Sequence, residues 1–150
     1  RLVSAVRTSA FARSISSRSA SGVLSDQKTR TENADPAMID NLHQIKELGL
    51  ATQKALEAGR TDEFAKIMHQ HWLNKKKRSS GISNEDINRW YDLGIAQGAS
   101  GGKLIGAGGG GFLLFYAHDR KALRQAMARE GLAEVRFTFD HEGSKVMVNG

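Results

Sequence analysis

Residues 103–116 read KLIGAGGGGFLLFY: a lysine and a short apolar run, six small residues from Gly106 to Gly111, then an unbroken apolar and aromatic run. Literally, Gly106 to Gly111 satisfies G-x-G-x-x-G. A dinucleotide-binding loop of that form opens a helix, because the helix N-terminus holds the pyrophosphate. Here Phe112–Ala117 follows, which reads as a buried strand. A Walker A loop ends in G-K-[ST] and also precedes a helix. A protein-kinase glycine loop joins two strands but is followed by V-A-I-K and H-R-D motifs, which this chain lacks. What remains is a glycine-rich connection between two strands. Glycine there permits positive φ and lets backbone amides approach an anion or another loop. A tight β-connection packed beneath another element is the plain structural alternative.

Moving outward, Lys103–Ile105 is the strand before the loop. Asp119 to Glu130 reads as a helix after it, capped by Asp119, packed through Leu123 and Met127, and stopped by Gly131. Val135, Phe137 and Phe139 alternate with Arg136, Thr138 and Asp140, the period of a half-buried strand. His141-Glu142-Gly143 reads as a hairpin turn and Lys145–Asn149 as its partner strand. Upstream the period is helical. A short helix is expected from Ala20 to Arg30. A longer one follows Asp35-Pro36, with Asp as cap and Pro in the first turn. Met38, Leu42, Ile45, Leu48 and Leu56 carry it to Gly59. Phe64, Ile67, Met68, His71 and Trp72 mark a helix over 61–74. Ile87, Trp90, Tyr91 and Ile95 mark another, with Ser83 as the expected cap. Residues 1–15 read as a disordered or atypical N-terminal segment. Helices first, then strand–loop–strand–helix–strand–strand, is an α+β order with a largely antiparallel sheet.

The chain has 150 residues and 39% hydrophobic content, enough for one domain with a core. It has no cysteine, which excludes disulfides, thiolate–zinc sites and iron–sulfur clusters and fits a cytoplasmic protein. No apolar run approaches the about 18–20 residues of a membrane span. The net charge of +6 is uneven. Residues 1–25 carry four arginines and no acid, residues 26–100 balance, and Lys75-Lys76-Lys77-Arg78 forms a tight run within them. That asymmetry suits a local anion contact better than a nucleic-acid footprint. The Arg- and Ser-rich start also has the composition of a transit peptide, although it begins with Arg1 rather than Met. A piece of a longer chain is the preferred reading.

The glycine stretch is similar to the third motif of the GHMP kinases, the superfamily of galactokinase, homoserine kinase, mevalonate kinase and phosphomevalonate kinase. That motif reads K-x-x-G-A-G-G-G-G before a hydrophobic strand. Lys103, Gly106, Ala107, Gly108, Gly109, Gly110 and Gly111 match it position by position. SRSASGVLSDQ (residues 17–27), HWLNKKKRSSGISNEDI (71–87) and FTFDHEGSKV (137–146) resemble the D-glycero-D-manno-heptose 7-phosphate kinase branch. Fucokinase-type sugar kinases share several of these stretches. The resemblance covers residues 16–150. It implies the C-terminal half of a two-domain kinase, an α+β domain with a ferredoxin-like sheet. The other half would carry the ATP loop, P-x-x-x-G-L-G-S-S, and the acidic residue that assists deprotonation of the acceptor. No such ATP loop occurs in this chain. The resemblance also implies ATP and Mg²⁺, both held mainly by that other half. The implied reaction moves the ATP γ-phosphoryl to the anomeric hydroxyl of the heptose 7-phosphate. The 1,7-bisphosphate so formed is a precursor for surface polysaccharide.

On this reading Lys103 and Gly106 to Gly111 support the ATP phosphate loop. Lys75 and Lys76 are the expected contacts to the sugar phosphate, with Arg18 and Ser19 as further candidates, and this half contributes no catalytic residue. A solvated helix end is the plain alternative for the lysines. His69 and His71 lie two apart on a helix and cannot chelate together. His71, on the apolar face, reads as a packed core histidine, and Trp72, Trp90 and Tyr91 as core. The competing function is a free-standing α+β module that binds anionic small molecules or nucleic acid.

Overall fold

The computed structural model describes residues 8–12, 20–106 and 108–137. Strand β1 (Thr8–Ala12) is followed by four helices, α1 (Ala20–Glu32), α2 (Pro36–Glu57), α3 (Thr61–Lys76) and α4 (Glu85–Ala96). Then come β2 (Ala99–Ile105), β3 (Phe112–Ala117), α5 (Arg120–Arg129) and β4 (Ala133–Val135). The sheet order is β2-β3-β1-β4, and every described pairing is antiparallel. Strand, crossover, hairpin, crossover and strand in that order is the ferredoxin-like arrangement, with α1 to α4 filling the first crossover. The α+β class and the largely antiparallel sheet stand.

Local chemistry sets most boundaries. Asp35 caps α2 by accepting from the amides of Ala37 and Met38, and Asp119 caps α5 through Lys121 and Ala122. Gly59, Gly98 and Gly131 adopt positive φ just past helix ends, where an L side chain would strain. For α4 the expected cap is off by one residue. Asn84, not Ser83, accepts from the Ile87 amide, while the Ser83 hydroxyl donates to Asn88 Oδ1.

Three strands differ from expectation. The segment expected to be disordered or atypical contains β1, whose Ser9, Ala10 and Phe11 are buried. It lies between β3 and β4, with Phe11 opposite Leu113 and Glu134. Strand β2 starts at Ala99 rather than Lys103. Its two glycines are there because neighbours come too close for a side chain. A Cβ on Gly101 would lie 1.9 Å from the Ala65 carbonyl oxygen of α3, and one on Gly102 2.5 Å from the Phe115 ring. Strand β4 ends at Val135, so Arg136 and Phe137 follow it, and its partner is β1. The hairpin expected over 141–149 lies outside the described residues.

Both faces of β3 are covered, which explains its continuous apolar run. Leu113, Phe115 and Ala117 join the main core with Trp72, Ile82, Ile87, Trp90, Leu104 and Leu123. On the other face Tyr116 packs with Ala65 and Met68, and Leu114 and Phe64 lie against them. Trp72, Trp90 and Tyr91 are core residues, 0%, 2% and 3% exposed. No described helix is long and apolar enough to cross a membrane.

Candidate functional site

The pairing of Ile105 with Phe112 closes a β2–β3 hairpin, and its connection is the glycine run. The loop folds back on itself and against the segment between α3 and α4. The Gly109 amide donates to the Ile82 carbonyl at 3.0 Å. Gly108, at φ +137°, sits so close that a Cβ would lie 2.8 Å from Ile82 Cα. Gly111, at φ +122°, would place a Cβ 2.2 Å from the Ile105 carbonyl oxygen. Both positions therefore need glycine on two counts, conformation and space. Ala107 lies outside the described residues. At the base of the loop the paired side chains of Ile105 and Phe112 are 40% and 43% exposed, an apolar margin beside the glycines.

Helix α3 supplies the charge. It packs along β2, and the close approach begins where Gly101 meets Ala65. From Ala65 to Lys75 a helix advances about 15 Å at its usual rise. From Gly101 to Gly106 a strand advances about 16 Å. The two elements run side by side in the same direction, so the helix end and the strand end arrive together at the glycine loop. There the Lys75 ammonium donates to the Leu104 carbonyl at 3.2 Å and to the Gly106 carbonyl. Side chains alternate along a strand, so Lys103 shares with Gly101 the face turned to α3.

The result is a cationic cluster of Lys75, Arg78 and Lys103 with His71 beside it. Burial, then the charges of Lys103 and Arg78, pulls Lys75 down to about 8. Burial and then Arg78 lower Lys103, and burial lowers Arg78. His71 is drawn down to about 4 by burial, then by Lys103, Arg78 and Lys75, so its ring is neutral near pH 7. Its Nδ1 is buried and has no hydrogen-bond partner among the described residues. Among the described residues no salt bridge reaches Lys75, Arg78 or Lys103. Arg78 donates instead to the neutral Asn41 amide at 3.1 Å. On its far side a cavity of about 200 Å³ is lined by Arg30, Met38, Asp40, Asn41 and Lys77 as well as Arg78.

The structure thus brings Lys75 and Lys103 to the glycine loop. Lys76 turns the other way: its ammonium lies 3.5 Å from Asn88 Oδ1 and over the Trp72 ring. Arg18 and Ser19 lie outside the described residues. His69 and His71 diverge, since His69 Nδ1 is 2.7 Å from the Tyr91 hydroxyl, which donates to the Gly102 carbonyl. The convergence of Lys75 with Lys103 was missed from sequence. The available signal was the strand period that puts Gly101 and Lys103 on one face. Cations and a glycine backbone without side chains fit the phosphates of ATP. They do not fit Mg²⁺, and no group of three or more potential metal ligands occurs among the described residues.

The constellation is a ferredoxin-like sheet whose β2–β3 hairpin carries a glycine loop with lysines beside it. The family model for the GHMP kinase C-terminal domain matches residues 52–133, and the chain belongs to that family. It is 34% identical over 113 residues to the D-glycero-alpha-D-manno-heptose 7-phosphate kinase of Campylobacter jejuni, covering 74% of this chain and 33% of that protein. It is 32% identical over 122 residues to the bifunctional fucokinase/GDP-fucose pyrophosphorylase of Arabidopsis thaliana, covering 79% of this chain and 12% of that protein. Among solved structures, the L. major mevalonate kinase in complex with R-mevalonate superposes with a TM-score of 0.72 at 17% identity. That match covers 82% of this chain and 38% of the kinase, and the likeness is one of fold. The chain therefore spans a third or less of the curated relatives' length.

Proposed function

We propose that this chain is the C-terminal half of an ATP-dependent sugar kinase. Its acceptor is the anomeric hydroxyl of D-glycero-D-manno-heptose 7-phosphate, and its product is the 1,7-bisphosphate. The observation that carries the reading is the glycine hairpin with Lys75 and Lys103 at its mouth. Phosphoryl transfer depends on positioning and on stabilising charge at the phosphates. Glycine amides and nearby cations do both without side chains crowding the transferring group. The similarity to the Campylobacter heptose kinase supports the choice of acceptor.

In this reading Gly106 to Gly111 and Lys103 back the ATP phosphates. Two of the three Lys75 N–H groups are engaged by the Leu104 and Gly106 carbonyls. The third, with Arg18 and Ser19, is offered to the sugar phosphate, whereas the Lys76 ammonium, beside Asn88, is not part of that contact. Mg²⁺ arrives with ATP and is held by the ATP-loop half. The enzyme works in the cytoplasm.

The similarity to the plant fucokinase favours one second reading, a kinase for a fucose-type sugar. One assay separates the two. The complete protein that carries this domain is incubated with ATP and either sugar, and products are read by phosphorus NMR. A new anomeric phosphate on the heptose 7-phosphate alone is the expected result. Phosphorylation of L-fucose alone moves the assignment to the second reading, and no transfer to either sugar rejects both.

A further inference from the structure

We propose that Lys75 is a positioning residue, whose ammonium staples the end of β2 to the first residue of the glycine loop and makes the loop's geometry follow the charge on this one side chain. It holds for any acceptor sugar. The geometry is direct. One ammonium bridges two carbonyls two residues apart, Leu104 in the strand and Gly106 in the loop. A carbonyl of a strand end and that of the next loop residue have no ladder partner in common, so a charged three-donor group is suited to fixing their relation. The loop's glycines give it freedom that needs such a fixture, because each has more backbone conformations open to it than any other residue.

The same surroundings make the staple labile. Lys103 faces Lys75 from β2, and Arg78 follows just past the C-cap of α3. His71 stands one turn before it and is neutral. From α2, Asp40 lines the cavity beside Arg78, and Lys75 does not line that cavity. With its burial first and two neighbouring cations second, Lys75 is pulled down to about 8 from its ordinary 10.5. The sign follows: below about 8 the ammonium is charged and the staple is strong. Above it a neutral amine holds the carbonyls more weakly, since charge-assisted hydrogen bonds are roughly twice as strong as neutral ones. An anion drawn to Lys103 and Arg78 would cancel their repulsion, keep Lys75 charged and tighten the loop.

Carbon-detected NMR of the Arg1–Gly150 chain tests this by following the carbonyl carbons of Leu104 and Gly106 from about pH 6 to about pH 11.5, a span that extends past the midpoint of an ordinary lysine. Both signals are expected to move together with a midpoint near 8. In Lys75→Arg, which stays charged throughout, both should hold their low-pH positions and show no midpoint. Lys103→Met, which removes a repelling neighbour, should raise the midpoint toward the ordinary lysine value. Lys75→Met should abolish the titration, and if that variant fails to fold the other two still decide. Flat signals in the parent chain, or a midpoint near 8 that persists in Lys75→Arg, would overturn the proposal.

Discussion

A missing methyl group can fix where a helix lies. Gly101 is in β2, yet the reason it is glycine sits in α3, where the Ala65 carbonyl would be 1.9 Å from any Cβ. Because the obstacle is backbone, relief requires the whole helix to move. Moving α3 would also carry Lys75 away from the loop. Gly101→Ala should therefore cost about 1–3 kcal/mol, the range for an overpacked core, read as a lower urea midpoint. Gly49 offers the control. It lies inside α2, and an added Cβ would meet nothing within 4 Å. Gly49→Ala should stabilise the fold by about 0.5–1 kcal/mol, the cost of glycine relative to alanine inside a helix, and so raise the midpoint. Equal effects of the two substitutions would mean that α3 does not press on β2 as described. Lysine placement teaches a related lesson. Lys75 and Lys76 adjoin in sequence, but neighbours on a helix point about 100° apart. One ammonium ends on Gly106 and the other near Asn88.

At the scale of elements, what was legible was what is local. The apolar run of β3 was read to the residue. The Asp35 and Asp119 caps and the glycine stops at Gly59 and Gly131 were readable too, because a cap acts within one turn and a positive φ within one residue. The misses have physical reasons of another kind. Ser83 and Asn84 are both good caps, and only the chain path decides between them. Asn84 has extended backbone, φ −142° and ψ 176°, and its side chain reaches the Ile87 amide. Asn84→Ala should accordingly lower stability by about 1 kcal/mol, the usual worth of a cap. Ser83→Ala, which removes only a hydrogen bond to a half-buried Asn88, should cost less. A denaturant series on both variants checks the order, and a larger loss from Ser83→Ala would reverse the assignment. The start of β2 was hidden because Ala-Ser-Gly-Gly reads as a turn until the elements that crowd it are known.

Over the whole molecule, the element hardest to foresee sits where the sheet depends on it. Thr8–Ala12 offers one large apolar side chain, Phe11, and no clear period, so nothing local marks it as a strand. Its identity comes from pairing with β3 and β4, each more than 100 residues away in sequence. Such non-local pairing is what a single-sequence pattern cannot carry. Yet without β1, β4 has no described partner and β3 loses one edge. Phe11 is 1% exposed and packs 6.4 Å from the Phe115 ring, the side chain that also fills the space left by Gly102. Phe11→Ala removes that contact from the middle of the core and should cost about 3–5 kcal/mol. For a domain whose total stability is about 5–15 kcal/mol, that is a large share. The loss should appear as a lower urea midpoint and as a weakened near-ultraviolet circular dichroism signal from the buried tryptophans. Leu24, 55% exposed on α1, is the matched surface control. Leu24→Ala should stay within about 0.5 kcal/mol of the parent. If Phe11→Ala unfolds no more easily than Leu24→Ala, β1 is not part of the cooperative sheet. The hairpin bearing the glycine loop would then stand on β2, β3 and α3 alone.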